Sequence, residues 1–318
     1  MTLRSFPIDL DGEQGDLSAF SALDDLADAA EIAFIVEMDH VIHERHPFRL
    51  LCIRYLASHG WTWFGEELDW QTGDRIDDFL RTGDDALLEP VDDGRWYTSG
   101  MFAAGNDDAV RAAIAAERRR AAHAVRRAVP RARWFGVDSG GTDAEYLKVA
   151  NAVETWDEGA RFMAYREELM HVRLRRHLRN HPGEKVALMA GSTHLAKDDA
   201  TLHAPGLMPA GGGLVPTVGH LAAHELTDRP VLSFWLLHGG GRTGSPWLAD
   251  TDGRLVVPPE SVNAELAAIA DGRPQLVVVE DEHTERTVAG MHGLTMTCRL
   301  SEQVDAIVFA PEVTPASE

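Results

Sequence analysis

The stretch IAFIVEMDHVIHERHPFR, residues 32–49, joins two patterns that together predict an α/β fold. Residues 32–36 form a short apolar run of strand length. Residues 44–58 return to helical spacing and predict a helix that ends at Gly60. A cluster of titratable side chains lies between the two. In an α/β sheet, ligands gather beyond the carboxyl ends of the strands, so this cluster stands where a functional site is expected.

The same alternation of strand-like and helix-like stretches continues along the chain. Further strands are predicted at 61–65, 133–137, 186–190, 231–237, 276–279 and 306–309, with 293–300 as a possible partner. Helices are predicted at 18–30, 71–82, 107–129, 158–180 and 214–226, and loops at 84–106, 205–213 and 239–246. We therefore expect a single α/β domain over 1–318, with a mixed, mostly parallel central sheet flanked by helices. The largely helical part, 84–180, is expected to form a cap or insertion.

Composition and charge exclude several classes of protein. The chain has 318 residues and a formal net charge of −21, which argues against nucleic-acid or anionic-membrane binding because both need a basic face. Cys52 and Cys298 are too few for a disulfide framework or a thiolate zinc site. No secretory leader and no long apolar run is evident, so we expect a cytoplasmic protein. Nothing in the sequence fixes the oligomeric state.

The first cluster of candidate functional residues directly follows the first predicted strand. An imidazole titrates near neutral pH and can take a proton from water, so histidines beside carboxylates are candidates for acid–base chemistry. A polar helix start with solvated histidines is the alternative, and the residues alone leave both open. The cluster consists of Glu37, Asp39, His40, His43, Glu44, His46 and Arg49.

Two further clusters follow other predicted strands. Glu66 and Glu67 come at the end of the second strand, where alternation directs one side chain inward and the other into solvent. The alternative is an acidic turn in which Asp69 caps the next helix. His194 lies just beyond the strand at 186–190. No G-x-S-x-G occurs in the chain, which disfavours a covalent serine hydrolase.

Two weaker signals are interpreted as structural. His220 and His224 have the i, i+4 spacing of metal ligands on a predicted helix, but no HExxH motif accompanies them. We interpret them as surface or core histidines. The glycines at 239, 241 and 244 formally match G-x-G-x-x-G, but no helix is predicted after them, which favours a loop.

In these three clusters, the chain resembles the erythromycin esterase-like hydrolases. Members of that family characteristically carry G-E-x-[ST]-H-G-x-x-E followed by an arginine nine residues after the histidine, and Glu37, His40, Glu44 and Arg49 keep that spacing. RYLASHGWTWFGEELDW, residues 54–70, is similar to the family's helix–strand–glutamate segment. WFGVD, residues 134–138, and VGHLAAHEL with the strand after it, residues 218–237, also look similar to the family, so the resemblance spans roughly residues 30 to 240.

The resemblance extends to two more positions and departs at others. It places Glu67 on the family's glutamate. GEKVALMAGSTHLAKD, residues 183–198, is similar to the late H-N-x-H-x-x-K motif and places His194 on its second histidine. The first histidine of that motif is replaced by Gly191. The glycine before the first glutamate, the small hydroxyl residue and the glycine after the first histidine are replaced by Val36, Asp39 and Val41.

The resemblance implies hydrolysis of an ester or lactone by a water molecule that a histidine activates, without a covalent intermediate. His40 would be the general base, and Glu37 or Glu67 would orient its ring. Arg49 would pair with Glu67 or polarise the oxyanion, and His194 would donate to the oxyanion or the leaving alkoxide. The expected substrate is a small, hydrophobic natural product that is neutral or cationic, with no cofactor. Residues expected to contact it are Asp39, His43, Glu44 and Trp70.

Three other functions stay open on the sequence. A lyase, cyclase or transferase in natural-product biosynthesis could use the same scaffold. A metal-dependent hydrolase could take ligands from His40, His43, Glu67 and Asp39. A non-catalytic binding or self-resistance protein could line an apolar pocket with tryptophans such as Trp70, Trp96 and Trp247.

Overall fold

The computed structural model describes residues 3–89, 108–138, 148–149, 152–204, 215–244, 252–280, 284–290 and 294–316. The loop predicted at 205–213 lies outside the described residues. So do most of the loop predicted at 84–106 and the end of the loop predicted at 239–246.

The main sheet confirms the predicted α/β fold with a mixed, mostly parallel sheet. Among the described residues it has eight strands in the order β1-β10-β13-β7-β2-β5-β3-β4. The pairs from β13 to β4 are parallel, whereas β1 and β10 are antiparallel to their neighbours. The strands are β1 Leu3–Pro7, β2 Ile32–Glu37, β3 Trp63–Asp69, β4 Arg133–Asp138, β5 Val186–Gly191, β7 Val231–His238, β10 Gln275–Val279 and β13 Ala306–Ala310. Because β2, β5, β3 and β4 run in the same direction, their carboxyl ends meet at one edge.

Helices cover both faces of this sheet. They are α1 Asp24–Ala29, α2 Arg45–Ser58, α3 Trp70–Thr82, α4 Asp108–Ala128, α5 Trp156–Asn180, α6 Val218–Glu225, α7 Val262–Ala270 and α8 Leu300–Gln303. Side chains of α1 to α4 pack into one apolar core with alternate residues of the strands. Side chains of α5, α6 and α7 pack into a second core on the opposite face. Apart from the edge strand β1, the strands of this sheet are therefore buried on both sides, which explains the apolar runs in their sequences.

The helix that follows β3 forms as its sequence predicts. The Asp69 carboxylate accepts a hydrogen bond of 2.9 Å from the backbone N–H of Thr72 and caps α3. The helix ends at Gly83, whose φ of 78° lies in the left-handed region that favours glycine. Trp70 is thereby placed at the first turn of α3, at the carboxyl end of β3.

Two segments differ in detail from the sequence-based expectation. The possible strand at 293–300 forms β12, Thr295–Arg299, but it pairs with β11, Glu285–Ala289, and β6, Leu202–His203, in a separate three-stranded sheet. Within 84–180, β4 pairs with β3 in the main sheet. This part of the chain thus supplies an edge strand as well as α4 and α5. Its expected role as a cap stays a prediction.

Two short strands, β8 Gly241–Arg242 and β9 Arg254–Leu255, pair antiparallel beside the end of β7. Within the described part of the chain, no helix combines the length and the apolar character that crossing a membrane requires.

Candidate active site

Titratable side chains collect at the carboxyl edge of the parallel strands, as the sequence predicts. Glu37 is the last residue of β2, and it is paired in register with Gly191, the last residue of β5. Glu66 and Glu67 lie near the end of β3. Asp138 ends β4. This is the edge at which open α/β sheets bind their ligands.

The first group of this site is centred on Glu37, which is fully buried. Its Oε2 accepts a hydrogen bond of 2.6 Å from Arg49 Nε, and its Oε1 accepts one of 2.8 Å from Arg49 Nη2. The same Oε1 lies 2.8 Å from His40 Nδ1. Arg45 Nη1 is a further 3.5 Å neighbour. These contacts with Arg49, His40 and Arg45 hold the Glu37 carboxylate in one position.

These contacts set the charge of Glu37. Burial alone raises the pKa of the Glu37 carboxyl, but Arg49, Arg45 and His40 outweigh burial and lower that pKa to about 2. Glu37 is therefore ionised near neutral pH and can only accept hydrogen bonds. His40 Nδ1 must then carry the proton that it shares with Glu37, so in the neutral ring the lone pair is on Nε2. The His40 side chain is 23% exposed, so part of the ring is accessible to solvent.

The two consecutive glutamates of β3 are both buried, which corrects the expectation that one of them faces solvent. Because neighbouring strand residues point to opposite faces, each meets a different helix. Glu66 Oε1 accepts from Arg49 Nη1 at 2.6 Å, and its Oε2 accepts from the indole N–H of Trp134 at 3.2 Å. Glu67 meets Arg166 of α5 instead. The sequence left open whether Arg49 pairs with Glu67 or polarises the oxyanion, and the pairing with Glu67 is wrong because Arg49 binds Glu37 and Glu66.

The second group of the site is centred on Glu67. Its Oε1 accepts from Arg166 Nη2 at 2.5 Å, and its Oε2 accepts from the backbone N–H of Gly191 at 2.9 Å. Arg166 also donates through Nε to Asp138 Oδ2 at 2.8 Å. Burial raises the pKa of Glu67, but His194 and Arg166 hold it well below its usual range, and His40 adds to the effect. His40 therefore lies close enough to Glu67 to affect the charge of that carboxyl group.

His194 lies between two carboxylates on this side of the sheet. Its Nδ1 is hydrogen-bonded to Glu167 Oε1, and its Nε2 lies 3.3 Å from Glu67 Oε1 and 3.1 Å from Arg166 Nη1. Burial lowers the pKa of His194, but Glu67 and Glu167 outweigh burial and raise it to about 10. His194 is therefore an imidazolium near neutral pH.

The loop that carries His194 is fixed by α6. The backbone N–H of Gly219 donates to the carbonyl of His194 at 2.8 Å, and that of Val218 donates to Glu167 Oε2 at 2.8 Å. Glu167 thus connects His194 to the first turn of this helix. On the other side, Ser192 N–H donates to the carbonyl of Glu37 at 3.2 Å, so β2 and the His194 loop are joined directly.

The side chains expected to contact substrate occupy different surroundings. Asp39 is buried, accepts from the backbone N–H of Val41 at 2.9 Å, and has a pKa raised by burial. His43 Nδ1 lies 3.2 Å from Glu117 Oε1 of α4. Glu44 accepts from the backbone N–H and hydroxyl of Thr314, both at 3.0 Å. Trp70 is 47% exposed.

The structure adds site residues that sequence reasoning missed. Asp138 ends β4, so the strand-end rule that found Glu37 and Glu67 would also have found it. Arg166 and Glu167 lie on α5, 28 and 27 residues from His194 along the chain. No local motif marks them, because their role depends on how α5 packs against the sheet. Trp96 and Trp247, considered for an apolar pocket, lie outside the described residues.

Comparisons with known proteins agree with this architecture at the level of the fold. No family model and no curated protein matches the chain. A mutant of the erythromycin esterase EreC in its open conformation superposes with a TM-score of 0.62 and 16% identity, covering 99% of this chain and 98% of that chain. A Bacillus cereus protein has a TM-score of 0.68 at 12% identity, covering 98% of this chain and 95% of its own. A succinoglycan biosynthesis protein has a TM-score of 0.66 at 13% identity with the same coverage.

These similarities define the chain as an α/β protein with the fold of the erythromycin esterase. Identities of this size establish the fold alone. The resemblance noted in the sequence is thus confirmed as a distant relationship of fold, and membership in the family stays a prediction.

Proposed function

We propose that this chain is a hydrolase that opens an ester or lactone of a small, hydrophobic natural product with a water molecule activated by His40. The hydrogen bond between Glu37 and His40 carries the proposal. It fixes the tautomer in which His40 Nε2 can take a proton, and the ring is exposed enough to meet water. The fold shared with an erythromycin esterase supports the same class of reaction.

In the proposed reaction, His40 Nε2 removes a proton from water as the oxygen attacks the substrate's carbonyl carbon. The ring becomes an imidazolium, and the charge of Glu37 stabilises it, as the orienting carboxylate does in a catalytic triad. Arg49 holds Glu37 by two hydrogen bonds, so the carboxylate cannot turn away from the ring. Arg49 has the role of positioning Glu37.

His194 is the proposed acid. Its raised pKa, to about 10, keeps a proton on both ring nitrogens at neutral pH. In the proposal, the Nε2 proton that His194 shares with Glu67 passes to the leaving alkoxide. Collapse of the tetrahedral intermediate then yields an acid and an alcohol. The proton taken by His40 returns to solvent, and His194 regains a proton from solvent, which restores the starting state.

The charges around the site favour a neutral or cationic substrate. Glu67, Glu167 and Asp138 surround the two cations Arg166 and His194, so this group carries a net charge of about −1 when all five groups are ionised. The whole chain has a formal net charge of −21. An anionic substrate would be repelled both by the negative charge of this group and by the negative charge of the whole chain.

Hydrolysis in ¹⁸O-labelled water tests this proposal. The purified protein is incubated with a panel of macrolide lactones and simple aliphatic and aryl esters, and the products are analysed by mass spectrometry. We expect one solvent oxygen in the carboxyl group of each ring-opened lactone or released acid, and none in a released alcohol. A product with an unchanged mass formula would indicate isomerisation, and loss of water would indicate elimination. Either result, or no turnover of any lactone or ester, would overturn the proposal.

A further inference from the structure

Three side chains outside the proposed active site bring metal-ligating atoms together on the surface. Asp198 lies in the loop after β5, and His220 and His224 lie four residues apart on α6. One ligand atom from each of the three lies within 4.8 Å of the other two. Among the described residues, these three are the histidine, cysteine and carboxylate side chains found close enough together to share one metal ion. The two imidazole rings have their centroids 4.4 Å apart.

We propose that Asp198, His220 and His224 bind a divalent transition-metal ion of the Zn²⁺ type. Two imidazoles and one carboxylate are an N/O donor set that suits Zn²⁺ and its neighbours and not the hard cations Ca²⁺ and Mg²⁺, which prefer oxygen ligands. The inference departs from the structural interpretation of the two histidines that the sequence alone favours, because the sequence does not show that Asp198 joins them. It does not depend on the proposed hydrolase activity.

His224 makes the kind of hydrogen bond that orients a metal-binding histidine. Its Nε2 lies 3.0 Å from the carbonyl oxygen of Lys197. A carbonyl can only accept, so this nitrogen carries the hydrogen and Nδ1 keeps its lone pair. Metal-bound histidines commonly donate their second ring N–H to a backbone carbonyl or a carboxylate, which fixes the ring and its tautomer. The pairing of Lys197 Nζ with Asp305 at 2.5 Å directs that ammonium to another carboxylate.

Neighbouring contacts hold the loop and the helix in register around the three ligands. Asp199, adjacent to Asp198, accepts from the backbone N–H and the hydroxyl of Thr217 at 2.9 and 2.8 Å, and Thr217 caps α6. Asp198 Oδ1 accepts from the backbone N–H of Ala200 at 2.9 Å and lies 4.0 Å from His220 Nδ1. His220 Nδ1 accepts a long hydrogen bond of 3.4 Å from the backbone N–H of Asp199, so this nitrogen has a lone pair that an ion would take in place of that bond.

A bound ion would cross-link the loop that carries His194 to α6. That loop is already joined to α6 by the hydrogen bond from Gly219 N–H to the His194 carbonyl. The proposed ion therefore has a structural role, and its binding is expected to stabilise the folded state because the unfolded chain does not present the three ligands together.

Calorimetric titration of the full chain with ZnCl₂, after removal of metals with a chelator, tests the proposal. We expect one Zn²⁺ per chain, no comparable binding of Mg²⁺, and a Tm that rises with Zn²⁺. His224→Ala and Asp198→Asn should each weaken Zn²⁺ binding by at least ~10-fold and abolish the shift in Tm. Both variants should fold, because alanine favours helix and asparagine can still accept from Ala200. His203→Ala removes an exposed histidine outside the group and is the control.

Two results would overturn the proposal. One is the absence of stoichiometric Zn²⁺ binding to the wild-type chain. The other is binding of unchanged affinity in both His224→Ala and Asp198→Asn, which would place the ion elsewhere, for example at His40. Activity towards esters enters neither result, so the metal site and the proposed function can fail separately.

Discussion

Glu37 Oε1 lies 2.8 Å from His40 Nδ1, at the carboxyl end of the central strand β2. The carboxylate is fully buried, and Arg49 binds both of its oxygens. The ring that it orients is partly exposed. A buried, ionised carboxylate that orients a partly exposed imidazole is the arrangement that a general base needs, and the first and last predictions below test it.

Glu37 and Glu66 offer a matched pair of substitutions. Each binds Arg49 from a buried position, but Glu37 also orients His40. We expect Glu37→Gln and Glu66→Gln each to lower the free energy of unfolding by at least about 3 kcal/mol, because each breaks a buried ion pair with Arg49. Glu37→Gln should also lower kcat by at least ~100-fold, whereas Glu66→Gln should stay within about 10-fold of the wild type. Equal losses of kcat would show that Glu37 acts only through stability.

The proposed mechanism forms no covalent intermediate. Intact-protein mass spectrometry of samples quenched during turnover should therefore give the mass of the free chain at every time point. We choose a slow ester as substrate, so that an acyl-enzyme would have time to accumulate. A mass increase equal to the acyl group would contradict attack by water and point to a nucleophilic side chain.

His194 should make the folded state sensitive to alkaline pH. Its pKa is raised to about 10 in the folded state, against about 6.5 in the unfolded chain. Between these values the folded state holds a proton that the unfolded state does not, so the contribution to stability is complete below about pH 6.5 and is lost as pH rises towards 10. Urea unfolding of the wild type at pH 6.5, 7.5 and 8.5 should show this decline. His194→Gln should show a flatter dependence, and parallel curves for the two proteins would refute the assignment.

His46 should act in the opposite direction at mildly acidic pH. Burial, reinforced by the charge of Arg45, lowers the pKa of His46 to about 4. The unfolded state binds the proton first, so stability is complete above about pH 6.5 and is lost as pH falls towards 4. Burial lowers the pKa of His238 to about 4 in the same way, so His46→Gln should remove only part of the decline. We expect the variant's free energy of unfolding to fall less than the wild type's between pH 7 and pH 5. An identical fall would contradict the buried, neutral state of His46.

The sequence predicted the fold and about half of the site, for a reason that particular residues illustrate. Apolar runs such as 32–36 and 186–190 predict buried parallel strands, and the side chains that follow them must meet at one edge. Glu37, His40, Glu67 and His194 were found in this way. The rule could not tell which helix covers each face, so it left open whether Arg49 meets Glu67. The packing of α2 and α5 on opposite faces decides that Arg49 meets Glu66 and Arg166 meets Glu67.

Burial also could not be predicted at every position. Alternation along β3 predicted that one of Glu66 and Glu67 faces solvent, but helices on both sides of the sheet bury both. Likewise, the i, i+4 spacing of His220 and His224 did not by itself predict a metal site. The third ligand comes from the loop after β5, which places Asp198 beside them. Burial and side-chain clusters of this kind depend on contacts between residues that are distant in sequence, and a local sequence pattern carries no information on those contacts.

The most direct test of the central claim is the kcat of His40→Ala on whichever lactone or ester the wild type opens. His123→Ala, which removes a partly exposed imidazole of α4 paired with Asp85, serves as the matched control. Loss of a positioned general base predicts a kcat at least ~100-fold below the wild-type value, with unchanged Tm and an unaffected control. A His40→Ala protein that turns over substrate at the wild-type rate would contradict the account.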